Sequence, residues 1–512
     1  MKARDIKTKR VWKRVQPTGY LQQGRFSSVE EPSVCLDENL TFQVITQADF
    51  MREFYPSGHS INDPVLYPDV YREEMEPVLD ENGESTGKMK RNIYRELVPR
   101  YSFAFQQIIA LKQIIHGTGN DIQFQLNTTN PTQDQTDAFY LFRAGWLEKD
   151  MEIAFYEGVK SVKTTGDCAT VGFLNEGTFG FKSLSYMNGD VLYPHYDSIT
   201  GDLLLFARSY YDYDEDGNKI TEWLEVWDNT FLSRYKCNIS NSKTISDKIL
   251  GLFGLDGYSL VSKKAHGFPF IPVAYHRDDN GACWSPSQDS IDGYEMSFSQ
   301  MAQNNQAYGF PILLLQGDGE NFDKTVDLNG SIKVLAMGKD DKADYISSPD
   351  ASESFMKQID TLYKMIYEQS FTVIPPELKS GDLPAAALKI LYSPAYEKAM
   401  TDAADYQKYL NGLVKIFTFG YGLEMKNTIN FANLPMIYWI KPYIHVNDSA
   451  MVADLASAVV SGFCSKQTAS ETISMYTTPS EWDRIMREKK EEQQSDLLYE
   501  LKLEKGNNDI SE

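Results

Sequence analysis

The chain has 512 residues, 42% of them hydrophobic and 13% aromatic, with 72 Asp and Glu against 50 Lys and Arg and a formal net charge of −22. That length exceeds what one hydrophobic core usually serves, so two or more lobes are expected. Such an acidic balance excludes a protein that coats nucleic acid or an anionic membrane tightly, because phosphate affinity comes from Lys and Arg. Residues 1–30 read as a basic, then Gly- and Ser-containing arm without period, and no apolar segment follows MKARDIKTKRVWKR as a secretory signal requires. From 31 to 284 the texture is mixed α and β. Phe103, Ile108, Leu111, Ile114 and Ile115 predict a helix within Arg100 to Gly117, and Phe139 to Val162 a second one, weakened in its first half by Gly145. From Gly177 to Tyr235 apolar and polar residues alternate between Asn-Gly, Thr-Gly-Asp and Asp-Gly-Asn breaks, the pattern of an antiparallel meander.

The texture changes at Ser285, a predicted N-cap followed by Pro286. Ile291, Tyr294, Phe298 and Met301 form one apolar stripe, while Gln300, Gln303, Asn304, Asn305 and Gln306 make the rest of this helix rich in amides. Short strands and turns are expected over 311–349, then a helix of similar length with Phe355, Ile359, Leu362 and Ile366 on one face. TVIPPELKSGDLP is a loop by its Pro and Gly punctuation. Beyond it an Ala- and Leu-rich helix of more than 30 residues contains Pro394, which predicts a kink near Ile390. NTINFANLPMIYWIKPYIHV reads as a strand pair, and the remainder as helical, with Asp448 and Gly462 bounding one helix and Thr478 to Glu481 forming a capping box.

Chemical motifs fall short of active sites. Asp212, Asp214, Asp216 and Gly217 fit positions one, three, five and six of an EF-hand loop, but Trp223 stands at position twelve, where a bidentate Glu is needed. The segment therefore reads as an acidic hairpin tip, with a weak Ca²⁺ site as the alternative. GESTGK lacks the first Gly and the final Ser or Thr of a phosphate loop. The six histidines occur singly, and the five cysteines form no CxxC pair, which points to a reducing compartment. NLPMIYWI is too short to span a bilayer. No enzyme, cofactor or membrane contact is expected.

The order of elements, with FIPVAYHRDDN before SIDGYEMSFSQMAQNN, then SGDLPAAALKILYSPAYEKA, then VVSGFCSKQTASETI, resembles the portal proteins of tailed bacteriophages over roughly 35–495. Asp382-Leu383-Pro384 departs from the family by lying between the Ser-Gly and the Ala-Leu-Lys that more often adjoin it. The resemblance implies an α+β, portal-type multidomain subunit with an α/β wing, a two-helix stem, a small β-containing clip, a long kinked helix and a helical crown. By that pattern 31–284 plus 389–448 form the wing, 285–310 and 350–372 the stem, 311–349 the clip, 373–388 the tunnel loop and 449–512 the crown and tail. It further implies a ring, usually of twelve copies, at one capsid vertex of a virion assembled in the host cytoplasm. Its partners would be copies of itself, double-stranded DNA in the channel, the large terminase, scaffold and major capsid protein, and head-completion or adaptor proteins. The tunnel loop would place Pro375, Pro376, Glu377, Leu378, Lys379, Ser380, Gly381, Asp382, Leu383 and Pro384 toward DNA, with Lys379 meeting phosphate or simply solvated, and Pro394 as the kink. Clip lysines Lys333, Lys339 and Lys342 would touch DNA or a partner. Two rival readings are a different virion structural or connector protein and a Ca²⁺-dependent enzyme built around Asp212.

Overall fold

In a computed structural model, the described residues are 6–7, 11–17, 40–79, 85–128, 130–238, 258–308, 312–316, 342–346, 352–374, 390–426, 431–443, 448–466, 469–470 and 485–490. Trp12–Pro17 (β1) pairs antiparallel with Leu40–Ile45 (β2), and Trp12 is buried edge-on against Phe50 of Gln47–Phe54 (α1). The arm reading is thereby corrected for this segment: one tryptophan with a core contact gives β1 a place in the body. Thr46 caps α1 in a capping box with Asp49. Val70–Leu79 (β3) and Ser85–Glu96 (β4) form a ribbon of two strands.

Phe105–Thr118 (α2) starts five residues later than the Arg100 boundary of the predicted segment. Gln123–Leu126 (β5) precedes two helices, Gln133–Glu148 (α3) and Met151–Thr165 (α4), where the periodicity predicts one. The break falls at Asp150, whose φ of 54° is left-handed, and not at Gly145, which lies inside α3. Gly145 is needed for packing: a Cβ there would meet the Tyr421 ring at 2.5 Å.

Asp167–Asn175 (β6) and Thr178–Leu184 (β7) are joined by Glu176 and Gly177, both at positive φ, the signature of a tight I′ hairpin. Within the predicted meander, Val191–Tyr196 (β8), Leu203–Tyr213 (β9), Lys219–Trp227 (β10) and Phe231–Asn238 (β11) run antiparallel in sequential order; β7, in the same stretch, pairs with β6 instead, and Ser259–Ala265 (β12), beyond it, adds a fifth strand. Alternation sends Leu192, Phe206 and Trp227 to one core and Tyr193, Ala207 and Leu224 to another. Val273–Arg277 (β13) joins β6 and β7 as a third strand.

Gln288–Tyr308 (α5) and Ser352–Gln369 (α6) flank Ile312–Gln316 (β14) and Lys342–Ile346 (β15), which pair antiparallel. The helix does not start on a Ser285 cap: Ser285–Ser287 is a 3-10 turn, and the Ser285 hydroxyl is buried without a partner. Ser393–Glu424 (α7), at 32 residues, is the longest helix among the described residues. Met436–Trp439 (β16) pairs with β5, whereas 427–430 and 444–447, which hold the rest of the predicted strand pair, lie outside the described residues. Asp448–Val460 (α8) ends before Gly462, left-handed at φ 76°.

The largest core gathers α3, α4, the three-stranded sheet and α7 around Phe142, Trp146, Val159, Tyr409, Leu413 and Phe417. A second holds α1, α2, α5 and α6 through Phe50, Ile109, Trp284, Ile291 and Ile366. The several cores account for the size of the chain, and the mixture of elements makes the fold α+β. No helix among the described residues is long and apolar enough to cross a membrane.

Candidate functional site

Helices α5 and α6 pack through the two predicted stripes. Ile291, Tyr294, Ile359 and Ile366 are buried, with Phe298, Met301 and Leu362 partly so. Serines support the seam: Ser290 Oγ donates to Gln369 Oε1 at 2.9 Å, Gln358 Nε2 to Ser297 Oγ at 3.0 Å, and Ser287 Oγ to the Ile366 carbonyl at 2.9 Å. Edge-on rings of Phe103 and Phe105 at 5.2 and 5.1 Å from Tyr294 hold α5 against the start of α2.

Within that apolar contact sits Glu295, fully buried. Its Oε1 lies 2.7 Å from His59 Nδ1 and accepts from the Phe103 N–H at 2.8 Å. His59 Nε2 donates to the Glu53 carbonyl at 2.7 Å. Burial by itself disfavours the charged imidazole, but the hydrogen bond and charge of Glu295 outweigh it and raise the His59 pKa above its ordinary 6.5. With an acceptor facing each ring nitrogen, His59 ties α5 to the C-terminal end of α1.

A second buried charge group lies where α6 ends and α7 begins. Lys163 of α4 places Nζ 2.5 Å from Asp402 Oδ2, and Lys398 Nζ approaches Asp402 Oδ1 at 2.6 Å, both lysines meeting one carboxylate of α7. Lys163 Nζ also donates to Gln113 Oε1 at 3.0 Å, and Gln113 Nε2 to the Ser370 carbonyl at 2.8 Å. One chain of bonds thus joins the last turn of α6 to the first turns of α7 through α2 and α4. Just past Ser370, Phe371 has φ 54°, a conformation that costs an aromatic residue and marks the departure of the chain.

Of the predicted site residues, Pro375 to Pro384 lie outside the described residues, as do Lys333 and Lys339. Lys342 opens β15 opposite Gln316. Pro394 does not kink a continuous helix. Ile390 and Leu391 are helical, Tyr392 is a turn, and Pro394 lies in the first turn of a new helix, where its missing N–H leaves no hydrogen bond unmade. The acidic hairpin does not converge on an ion: Asp212 accepts from Trp223 Nε1 at 2.5 Å, and Asp214 from the Asn218 N–H at 2.6 Å. The Asn218 contacts hold the Asp214 carboxyl below its ordinary pKa, and no metal-binding cluster of His, Cys, Asp and Glu occurs among the described residues. His116, His195 and His266 each reach a backbone carbonyl, at 2.8, 2.6 and 2.9 Å.

A search of curated proteins finds no match. Among solved structures, a chain of the "Virion of native gene transfer agent (GTA) particle" is similar at a TM-score of 0.39 and 9% identity, covering 90% of this chain and 99% of that one. That likeness is too loose to carry an argument. The family described as "Phage portal protein, SPP1 Gp6-like" matches residues 100–495, a span that takes in the α3–α4 body, the meander, both long helices and α7. The chain belongs to this phage portal protein family.

Proposed function

We propose that the chain assembles into a ring, of about a dozen copies, at one vertex of a phage capsid. The ring conducts double-stranded DNA through its axis during packaging and ejection, and it docks the large terminase, then head-completion proteins. Scaffold and major capsid protein meet it during assembly in the host cytoplasm. The observation that carries this reading is the family match over 100–495. In this reading 31–284 with 389–448 is the wing, 285–310 and 350–372 the stem, 311–349 the clip, 373–388 the tunnel loop and 449–512 the crown.

Several features support that division. Helices of 21 and 18 residues, roughly 30 Å each, suit side-by-side tiling around an axis. The amides of α5 offer neighbours hydrogen bonds without strong charge. The pair β14 and β15 lies between the stem helices, as a clip strand pair would, and Lys342 on β15 with Lys333 and Lys339 would serve partner contact there. The segment 375–384, with Lys379 as its one base, would face DNA. An acidic lining repels DNA weakly everywhere and binds it nowhere, which suits sliding.

Negative-stain electron microscopy with particle mass measured alongside tests the proposal. Rings of about a dozen subunits around a hole wide enough for a duplex are expected. A compact closed oligomer without a channel would overturn it.

A further inference from the structure

The ribbon β3–β4 pairs with no other strand, so both of its edges are open among the described residues. It is long, roughly 30 Å at the usual rise per residue. Its register puts Tyr71, Ile93 and Arg95 on one face and Lys90 on the other, and all four are exposed. Tyr71 is 67% and Ile93 55% accessible, large apolar exposures for a strand pair. At its base, buried Asp69 accepts from Arg95 Nε at 2.6 Å and from Arg100 Nη2 at 2.7 Å. A two-stranded ribbon is marginal in water by itself, and its unpaired edges are templates for another strand.

The two strands differ in sign. Strand β3, VYREEMEPVL, carries Glu73, Glu74 and Glu76 against Arg72, whereas β4, STGKMKRNIYRE, carries Lys88, Lys90, Arg91 and Arg95 against Glu96. A net basic strand in a chain of charge −22 is out of keeping with its surroundings. Pro77 and the register shift beside it fall toward the tip, leaving Val70 to Glu76 unblocked by proline.

We propose that in the ring, and so resting on the ring reading above, the β4 edge of each copy pairs with the β3 edge of the next copy. Cyclic symmetry makes this contact heterologous, with the basic edge always meeting the acidic one. The strands alternate in direction, β3, β4, then the neighbour's β3 and β4, so the joined ribbons form one antiparallel sheet that closes on itself and leaves no edge open.

A charge exchange tests the contact. The variant Glu73→Lys, Glu74→Lys, Glu76→Lys, Lys88→Glu, Lys90→Glu, Arg91→Glu keeps opposite charges across its own hairpin and between its own copies. Against the unmodified chain it sets like charges edge to edge. Each chain alone is expected to form rings. Co-expressed with distinct tags and weighed by native mass spectrometry, mixed neighbours should fall about tenfold below random mixing, as several like-charged cross-strand pairs would dictate. Rings that mix freely would overturn the ribbon contact and leave the ring reading standing, whereas an assembly without cyclic symmetry would overturn both. Should the exchanged chain not fold, a benzoylphenylalanine at Tyr71 in the otherwise unmodified chain decides. A dimer-mass adduct joined to peptide 85–96 supports the contact, and an adduct joined elsewhere overturns it.

Discussion

Replacing Asp402 with Asn strips the counter-charge from two lysines at once, and only one of them can escape to water. Lys163 has 2% of its side chain accessible, against 28% for Lys398. In Asp402→Asn the Lys163 ammonium keeps only neutral partners: the new amide oxygen, the Gln113 carbonyl oxygen and the Tyr406 ring 5.8 Å away. Removing one partner of a buried ion pair costs about 3–5 kcal/mol, most of it the stranded charge. Lys163→Met is the informative contrast. It fills similar volume, keeps Asp402 paired with Lys398, and gives up chiefly the Gln113 bond, so about 1–2 kcal/mol is expected. A chain with several cores need not unfold in one step. The assay is therefore hydrogen exchange by mass spectrometry on peptides covering 367–372 and 393–402. About 3 kcal/mol corresponds to a little over a hundredfold faster exchange there, against about tenfold for Lys163→Met. If Lys163→Met opens these peptides as much as Asp402→Asn does, the stranded-charge argument is wrong.

Two further perturbations act on the body. Because the folded pKa of His59 lies above the ordinary 6.5, its bond to Glu295 contributes fully below about pH 6.5 and is lost as pH rises through the folded value. The stability difference between the unmodified chain and His59→Gln should thus shrink from pH 6 to pH 9, read as urea midpoints; Glu152, which burial pushes up to about 7, titrates alike in both and cancels. A pH-independent difference would refute the charged-imidazole assignment. Gly158→Ala would drive a Cβ to 2.3 Å from the Tyr409 hydroxyl, itself bonded to Thr170 at 2.7 Å, and should cost about 1–3 kcal/mol. Pairing it with Tyr409→Leu should cost less than the two single changes added, and strict additivity would show that α4 and α7 do not meet there.

Much of the architecture was legible because periodicity is strong where a face is buried. The meander, both stem-length helices and α7 follow from alternation or 3–4 spacing. Errors fell where a single residue decided. Trp12 turned a featureless arm into a strand, a left-handed Asp150 split one helix into two, and Pro394 proved to start a helix. The buried charges were missed although a signal for them existed. Glu295 lies among Ile291, Tyr294 and Phe298, Lys163 among Phe155, Val159 and Val162, and Asp402 among Ala395, Ala399 and Tyr406. Each is a charge on the apolar face of a helix, and such a charge must find a partner. Lys398 lies four residues from Asp402, a local signal, but the His59–Glu295 and Lys163–Asp402 partners are 236 and 239 residues apart, which no local pattern reports.

That placement bears on how a loop between α6 and α7 would be held. Its departing root is fixed through Ser370 and Gln113, its returning root through Asp402 and Lys398, and both converge on the ammonium of Lys163. Lys163 belongs to α4, at the centre of the largest core, and its own carbonyl accepts from the Cys283 N–H at 3.0 Å, directly before the turn that opens α5. A displacement of either root therefore strains the same buried ion pair. On the portal reading, a push delivered to the tunnel loop by moving DNA would reach the wing through Lys163 and Asp402. The α5–α6 pair carries its own separate tie, His59 to Glu295. Loosening the first tie should free the loop roots while leaving the α5–α6 seam as protected as before. Equal loosening of both would mean that the α5–α6 pair and the loop roots move as one body.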